Sequence, residues 1–200
     1  AAGGGNLAAL YAEQGAYAKG EPLFVRAIEI DEKALGTMHP SLAKGLSSLA
    51  ALYRDQGAYA KAEPLFLRAI EIWEKSVGPI HPGLATTLRT LADVYTAQGA
   101  YAKAEPLFLR ALRIDEKVLG TMHPEIARDL YALAGLHRAQ GAHGRAQPLL
   151  ARALEVREAQ LRTELARLSE VRRRALMTTL RDETASVVSF HVDGKPTSAS

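Results

Sequence analysis

Cysteine is missing altogether from this chain of 200 residues. Its absence removes disulfides, thiolate metal sites and cysteine nucleophiles from the chemistry open to these residues, and it fits an intracellular, cytoplasmic chain. Aromatic residues are scarce at 6%, with a single tryptophan, Trp73. Alanine and leucine must therefore fill the interior, which favours helices packed closely side by side. No apolar run approaches the ~20 residues of a membrane span. Charge of one sign is also in short supply: a net +3 is too mild an excess to argue for nucleic acid without a concentrated patch. The chain opens on AAGGGN without a methionine and enters its pattern partway through, as expected of a fragment of something longer. The missing signal peptide therefore says little about location.

Enzyme signatures are missing too. Gly194-Lys195 lacks the upstream glycines of a phosphate-binding loop, neither HExxH nor G-x-S-x-G occurs, and Gly3-Gly4-Gly5 follows no strand. The acidic residues are spread at regular spacing along helix faces that read as solvated, with no sign of a convergent pair. No catalytic residue, cofactor or metal is expected.

What is present is repetition. Gly15, Gly57, Gly99 and Gly141 mark the same turn four times at intervals of 42 residues, the signature of stacked units that cannot bury their apolar faces alone. In the second unit a first helix is predicted from His39-Pro40, where proline presets the first helical position, to Gly57, a residue suited to a left-handed cap. Its apolar stripe is Leu42, Leu46, Leu49, Ala50 and Tyr53. A second helix is predicted from about Tyr59 to Lys75, with Ala62, Leu65, Phe66, Ala69, Ile70 and Trp73 on its inward or flanking faces. The short link makes the pair antiparallel. Pro22, Pro64, Pro106 and Pro148 sit inside the second helices and should bend them near their starts. His39, His81 and His123 invite a metal reading, but equivalent positions of stacked helices lie roughly 8–10 Å apart whereas zinc–imidazole bonds are ~2.0–2.1 Å. A helix-start role is the better reading.

These residues resemble the tetratricopeptide repeat in its 42-residue form, known from kinesin light chains. The match is carried by Leu46, Leu88 and Leu130, by Leu49, Leu91 and Leu133, by Tyr53 and Tyr95, and by the turn glycine followed by Tyr59 or Tyr101. Ala62 and Ala104, Phe66 and Phe108, and Ala69 and Ala111 complete it. The resemblance implies an all-α, right-handed superhelical solenoid of stacked antiparallel helix pairs over residues 1–158, with a truncated first unit lacking most of its first helix. Glu32, Glu74, Glu116 and Glu158 stand where a shorter repeat closes on proline, so the second helices should run on. In the fourth unit His137 and His143 replace tyrosines, Leu150 replaces phenylalanine and Gln147 replaces glutamate.

Residues 159–192 are expected to form a C-terminal helical extension, in which Arg172, Arg173 and Arg174 are diluted by acidic neighbours on a solvated face. Residues 193–200 have the composition of a disordered tail. The stretch 159–182 resembles the segment that joins such repeats to a caspase-like CHAT domain in bacterial proteins.

Two functions follow from the resemblance: a non-catalytic protein-interaction scaffold, or the regulatory arm of a larger peptidase or signalling protein. In such arrays the first helices line a concave groove that holds extended peptide. Projected here, the groove consists of Lys44, Ser47, Ala51, Arg54 and Asp55, then Thr86, Arg89, Asp93 and Thr96, then Arg128, Tyr131 and Arg138. Kinesin-light-chain-like repeats carry an asparagine clamp whose leading position is here Gly5, Ser47, Arg89 and Tyr131. The five cations outnumber Asp55 and Asp93, so an acidic peptide is the expected partner, with no nucleic acid and no membrane. Trp73 stands where other units have aspartate, either as an exposed interface anchor or packed against the next unit.

Overall fold

The structure is a computed structural model that describes residues 2–167, 172, 174 and 177–181. Among these residues it is helical, without strands. Four helix pairs follow one another: α1 (Ala2–Glu13) with α2 (Tyr17–Leu35), α3 (Pro40–Asp55) with α4 (Tyr59–Ser76), α5 (Pro82–Ala97) with α6 (Tyr101–Leu119), and α7 (Pro124–Ala139) with α8 (His143–Arg167). The chain divides into a compact unit of residues 1–157 and a second from 158 to 200. Expectations for 168–171 and for the tail 193–200 lie outside the described residues. So do those for most of the segment between.

The helix ends follow from the punctuation. His39, His81 and His123 cap α3, α5 and α7, each Nδ1 accepting the backbone N–H two residues on, at 3.1, 3.0 and 3.3 Å. The following proline occupies the first helical turn. An acceptor at this position satisfies one of the amides that a helix start leaves orphaned. At the other end Gly57 adopts φ +72°, and the paired returns Gly57 N–H to Arg54 O (2.9 Å) and Ala58 N–H to Tyr53 O (2.8 Å) close a glycine-capped turn. The second helices continue through their prolines and past Glu32, Glu74 and Glu116. The first unit differs from expectation: α1 spans 12 residues against 16 in α3, so alanine and asparagine carry a helix even through Gly3-Gly4-Gly5.

Packing repeats with the sequence. Leu42, Leu46, Leu49 and Ala50 of α3 are buried with Ala62, Phe66 and Ala69 of α4, and Phe66 is fully enclosed. Alanine lets the helices approach closely while phenylalanine fills the remaining gap. Each unit is then fastened to the one before. The Tyr53 hydroxyl donates to Glu21 (2.8 Å) and that of Tyr95 to Glu63 (2.7 Å). Burial, aided by the facing carboxylate, raises the Tyr53 pKa and pushes that of Tyr95 up to about 12. The second helices are tied by Arg68 to Glu32, Arg110 to Glu74 and Arg152 to Glu116, at 2.5 to 2.6 Å. The glutamates that replace the closing proline therefore bind the next unit as well as extend the helix.

Trp73 is not an exposed anchor. It is 7% exposed and stacks on the His81 ring at 4.7 Å between centroids. A Cβ on Gly83 would stand 2.6 Å from its Cζ2. The ring thus packs against the next unit, and only glycine fits beneath it.

Candidate functional site: the first-helix face

The polar side chains of α3, α5 and α7 recur in register. Lys44, Thr86 and Arg128 occupy equivalent exposed positions, and Ala51, Asp93 and Gly135 form a second row. Ser47 and Thr87 bridge α3 and α5 by a hydroxyl–hydroxyl hydrogen bond of 3.0 Å. Each hydroxyl also lies within reach of a backbone carbonyl of its own helix, Ala43 O for Ser47 and Gly83 O for Thr87, so one of the two donates to its carbonyl while the other donates across the joint. Thr96 similarly donates to Ala92 O at 2.8 Å. Tyr131 is half-buried, and Arg138 is exposed near the end of α7.

Arg89 does not belong to the free cations expected of the groove. It is 6% exposed and its guanidinium is held by Asp115 of α6 (2.5 Å), by Asp129 of α7, and by Glu125 of α7 (3.5 Å). A guanidinium drawn out of water needs such partners on its fork of donors. Two further arginines are also engaged: Arg54 pairs with Asp55 at 2.8 Å and Arg128 with Glu125 at 2.6 Å. Lys44 remains as an exposed cation on α3. The cation count read from the sequence therefore overstates the positive charge offered to a ligand.

The acidic side chains do converge, contrary to expectation. Asp115 and Asp129 are 3% and 2% exposed and lie within hydrogen-bonding reach of each other. Burial raises both, Asp129 to about 6; Arg89 works against the rise, and for Asp129 the Asp115 carboxylate adds to it. One arginine cannot neutralise two buried carboxylates and Glu125 as well. Asp129 Oδ2 is buried and finds no hydrogen-bond donor, so nothing at that oxygen offsets the loss of water. Asp93 is reached by solvent, yet it lies deep enough between the helices that desolvation raises its pKa. Arg54, Arg89 and Arg128 oppose that shift. Charges from three successive first helices thus act on one carboxylate. Among the described residues, no group of three or more metal-ligating side chains is found.

Repeat arithmetic could have revealed this cluster. Ser47 and Thr87 of one joint become Arg89 and Asp129 one period later, and Trp73 with Gly83 becomes Asp115 with Glu125. Each change has its counterpart on the facing helix.

The sequence pattern of the tetratricopeptide repeat family matches three overlapping windows, residues 3–75, 41–117 and 83–159. No curated protein matches the chain. Among solved structures, a putative kinesin light chain of Podosopora anserina with nearly identical TPR-like repeats is similar at 26% identity, covering 94% of this chain and 90% of that one with a TM-score of 0.72. BtubC (BKLC) from P. vanneervenii is similar at 22% identity and TM-score 0.72, over 78% of this chain and 63% of that one. The chain thus spans under two thirds of BtubC. MamA from MSR-1 aligns at 22% identity over 78% of this chain and 76% of that one, with a TM-score of 0.55. No described helix is long and apolar enough to cross a membrane.

Proposed function

Because the chain belongs to the tetratricopeptide repeat family, we propose that it is a non-catalytic protein-interaction scaffold that receives an extended segment of a partner along the faces of α3, α5 and α7. The observation that carries this reading is the exposed polar row of Lys44, Thr86 and Arg128, set at one spacing on three consecutive first helices. An extended strand advances ~3.3 Å per residue, so side chains on successive helices meet it at intervals of about three residues. The preference is for an acidic segment, with Lys44, Arg128 and Arg138 as its attracting charges. Arg89 acts from beneath, as a support of the wall. Arg128, paired with Glu125, and Arg54, paired with Asp55, each meet a ligand by exchange of partners.

The test compares two fluorescein-labelled twelve-residue peptides, one of alternating glutamate and serine, the other of lysine and serine. Fluorescence anisotropy is expected to show binding of the acidic peptide alone, weakening between 50 and 300 mM salt, since exposed charges are screened beyond about 8 Å at physiological ionic strength. Lys44→Glu with Arg128→Glu should abolish it without loss of helical circular dichroism. Equal binding of both peptides, or indifference to salt and to the double reversal, would sink the acidic preference.

A further inference from the structure

In the internal repeats the outward leucines of each first helix are covered by the second helix of the repeat before. Leu49 and Leu52 of α3 are 5% and 1% exposed, and a Cβ on Gly20 of α2 would lie 3.2 Å from Leu52 Cδ1. Leu91 and Val94 in α5, and Leu133 and Leu136 in α7, are buried in the same way. Leu7 and Leu10 hold these positions in α1, and they are 44% and 48% exposed. Tyr11 is the counterpart of Tyr53 and Tyr95. It keeps the lysine over its ring, with Lys19 at 5.7 Å where Lys61 and Lys103 stand at 5.1 and 5.0 Å. Its hydroxyl, unlike theirs, meets no carboxylate among the described residues.

A helix that terminates an array carries a polar outer face. α1 reads AGGGNLAALYAE, in which Asn6 and Glu13 are the only strongly polar side chains. The fourth repeat's α8, with Arg145, Gln147, Arg152, Glu155 and Arg157 in its first four turns, has the opposite composition.

We propose that this face of α1 is an open repeat interface, and that its occupant is the second helix of another repeat of this same pattern. The internal joints define that occupant. It carries a small residue over Leu10, as Gly20 does over Leu52, followed by the phenylalanine and alanine of the Ala62, Phe66, Ala69 stripe. It also carries a glutamate at the position of Glu63. That glutamate accepts from Tyr11 and approaches Lys19, as Glu63 takes Tyr95 at 2.7 Å and Lys103 at 3.9 Å. The interface is continuous with the established ones and does not involve the ligand-binding row, so it stands apart from the proposed groove.

A copy of residues 59–84 placed directly before Ala1 keeps the register of 42 residues. The extended chain is expected to melt about 4 °C higher or more, and the amides of residues 7–11 to exchange about tenfold more slowly. The same extension with Phe66→Asp and Ala69→Asp in the added copy should do neither. Equal melting of the two extended chains, or unchanged exchange in α1, overturns the proposal. So does sedimentation showing that the unextended chain pairs with itself through a contact that Leu10→Asp disperses, because the occupant would then be a second copy.

Discussion

The joint between the second and third repeats and the joint between the third and fourth have the same backbone plan and opposite chemistry. In the first, Trp73 lies over Gly83 and stacks on His81, while Ser47 and Thr87 share one neutral hydrogen bond. In the second, Asp115 replaces the ring, Glu125 replaces the glycine, and Arg89 with Asp129 replaces the hydroxyl pair. A ring needs an empty place opposite; an acid needs a cation. The substitutions are intelligible only in sets, because a Trp73-like ring over Glu125 would collide and Asp129 facing a serine would be an uncompensated buried charge. Burial of the apolar ring contributes to stability directly. The charged joint gains little net stability from its ion pairs and loses much if one member is removed.

Removing the central cation should produce the largest effect. Arg89→Leu is expected to lower stability by about 3–5 kcal/mol, since it strands two buried carboxylates. Urea unfolding measures it, and adding Asp115→Leu and Asp129→Leu to the same chain should recover most of the loss. A single-variant loss under ~1 kcal/mol would mean that the carboxylates do not depend on Arg89.

Next in size is a pH effect confined to the charged joint. Asp129 has its folded pKa raised to about 6 from an unfolded value of ~3.9, so between these values the folded chain holds a proton that the unfolded chain releases. Its contribution is fully present below about pH 4 and is lost as pH rises through 6, amounting to an order of 2–3 kcal/mol. Asp115 shifts in the same direction. Relative to Asp129→Asn, the unaltered chain should therefore gain stability on acidification from pH 7 to pH 5. Parallel pH profiles for the two would refute the assignment.

The apolar joint is probed by Gly83→Ala. The added Cβ would fall 2.6 Å from the Trp73 ring, and overpacking of this kind costs about 1–3 kcal/mol. Tryptophan fluorescence should shift with it, and Trp73→Leu in the same chain should relieve the strain. The smallest change is Ser47→Ala, which removes one hydroxyl from the tie to Thr87 and should cost about 0.5–1.5 kcal/mol. If it cost as much as Arg89→Leu, the contrast between the joints would collapse.

Much of the fold was legible in the sequence because its signals are short in range. The His-Pro starts, the turn glycines and the leucine stripe each act within one helix, and each element lies where that punctuation put it. α1 runs further than the truncated pattern implied because Ala8 is buried in the core, and Ala8 and Tyr11 both lie against Gly20 of α2. The charges of the groove were less legible. Arg89 looks like any exposed arginine within α5, and its burial is decided by Asp115 and Asp129, 26 and 40 residues away. Trp73 was ambiguous for the same reason, until Gly83 on the facing helix settled it.

The ties between repeats have one further consequence, which is kinetic. Ser47 to Thr87 and Arg89 to Asp129 each join residues 40 apart, and Tyr95 reaches Glu63 across 32. Every joint therefore closes a loop of similar modest length, however far it lies from either end, and loop-closure entropy does not mount as the array grows. Such a chain can start folding at any pair of repeats and extend from there. The two joints make the starting points unequal. The ring of Trp73 reaches its place without stripping water from a charge, whereas Arg89 and its carboxylates must shed theirs together, so the fourth repeat is set to be the last to join and the first to leave.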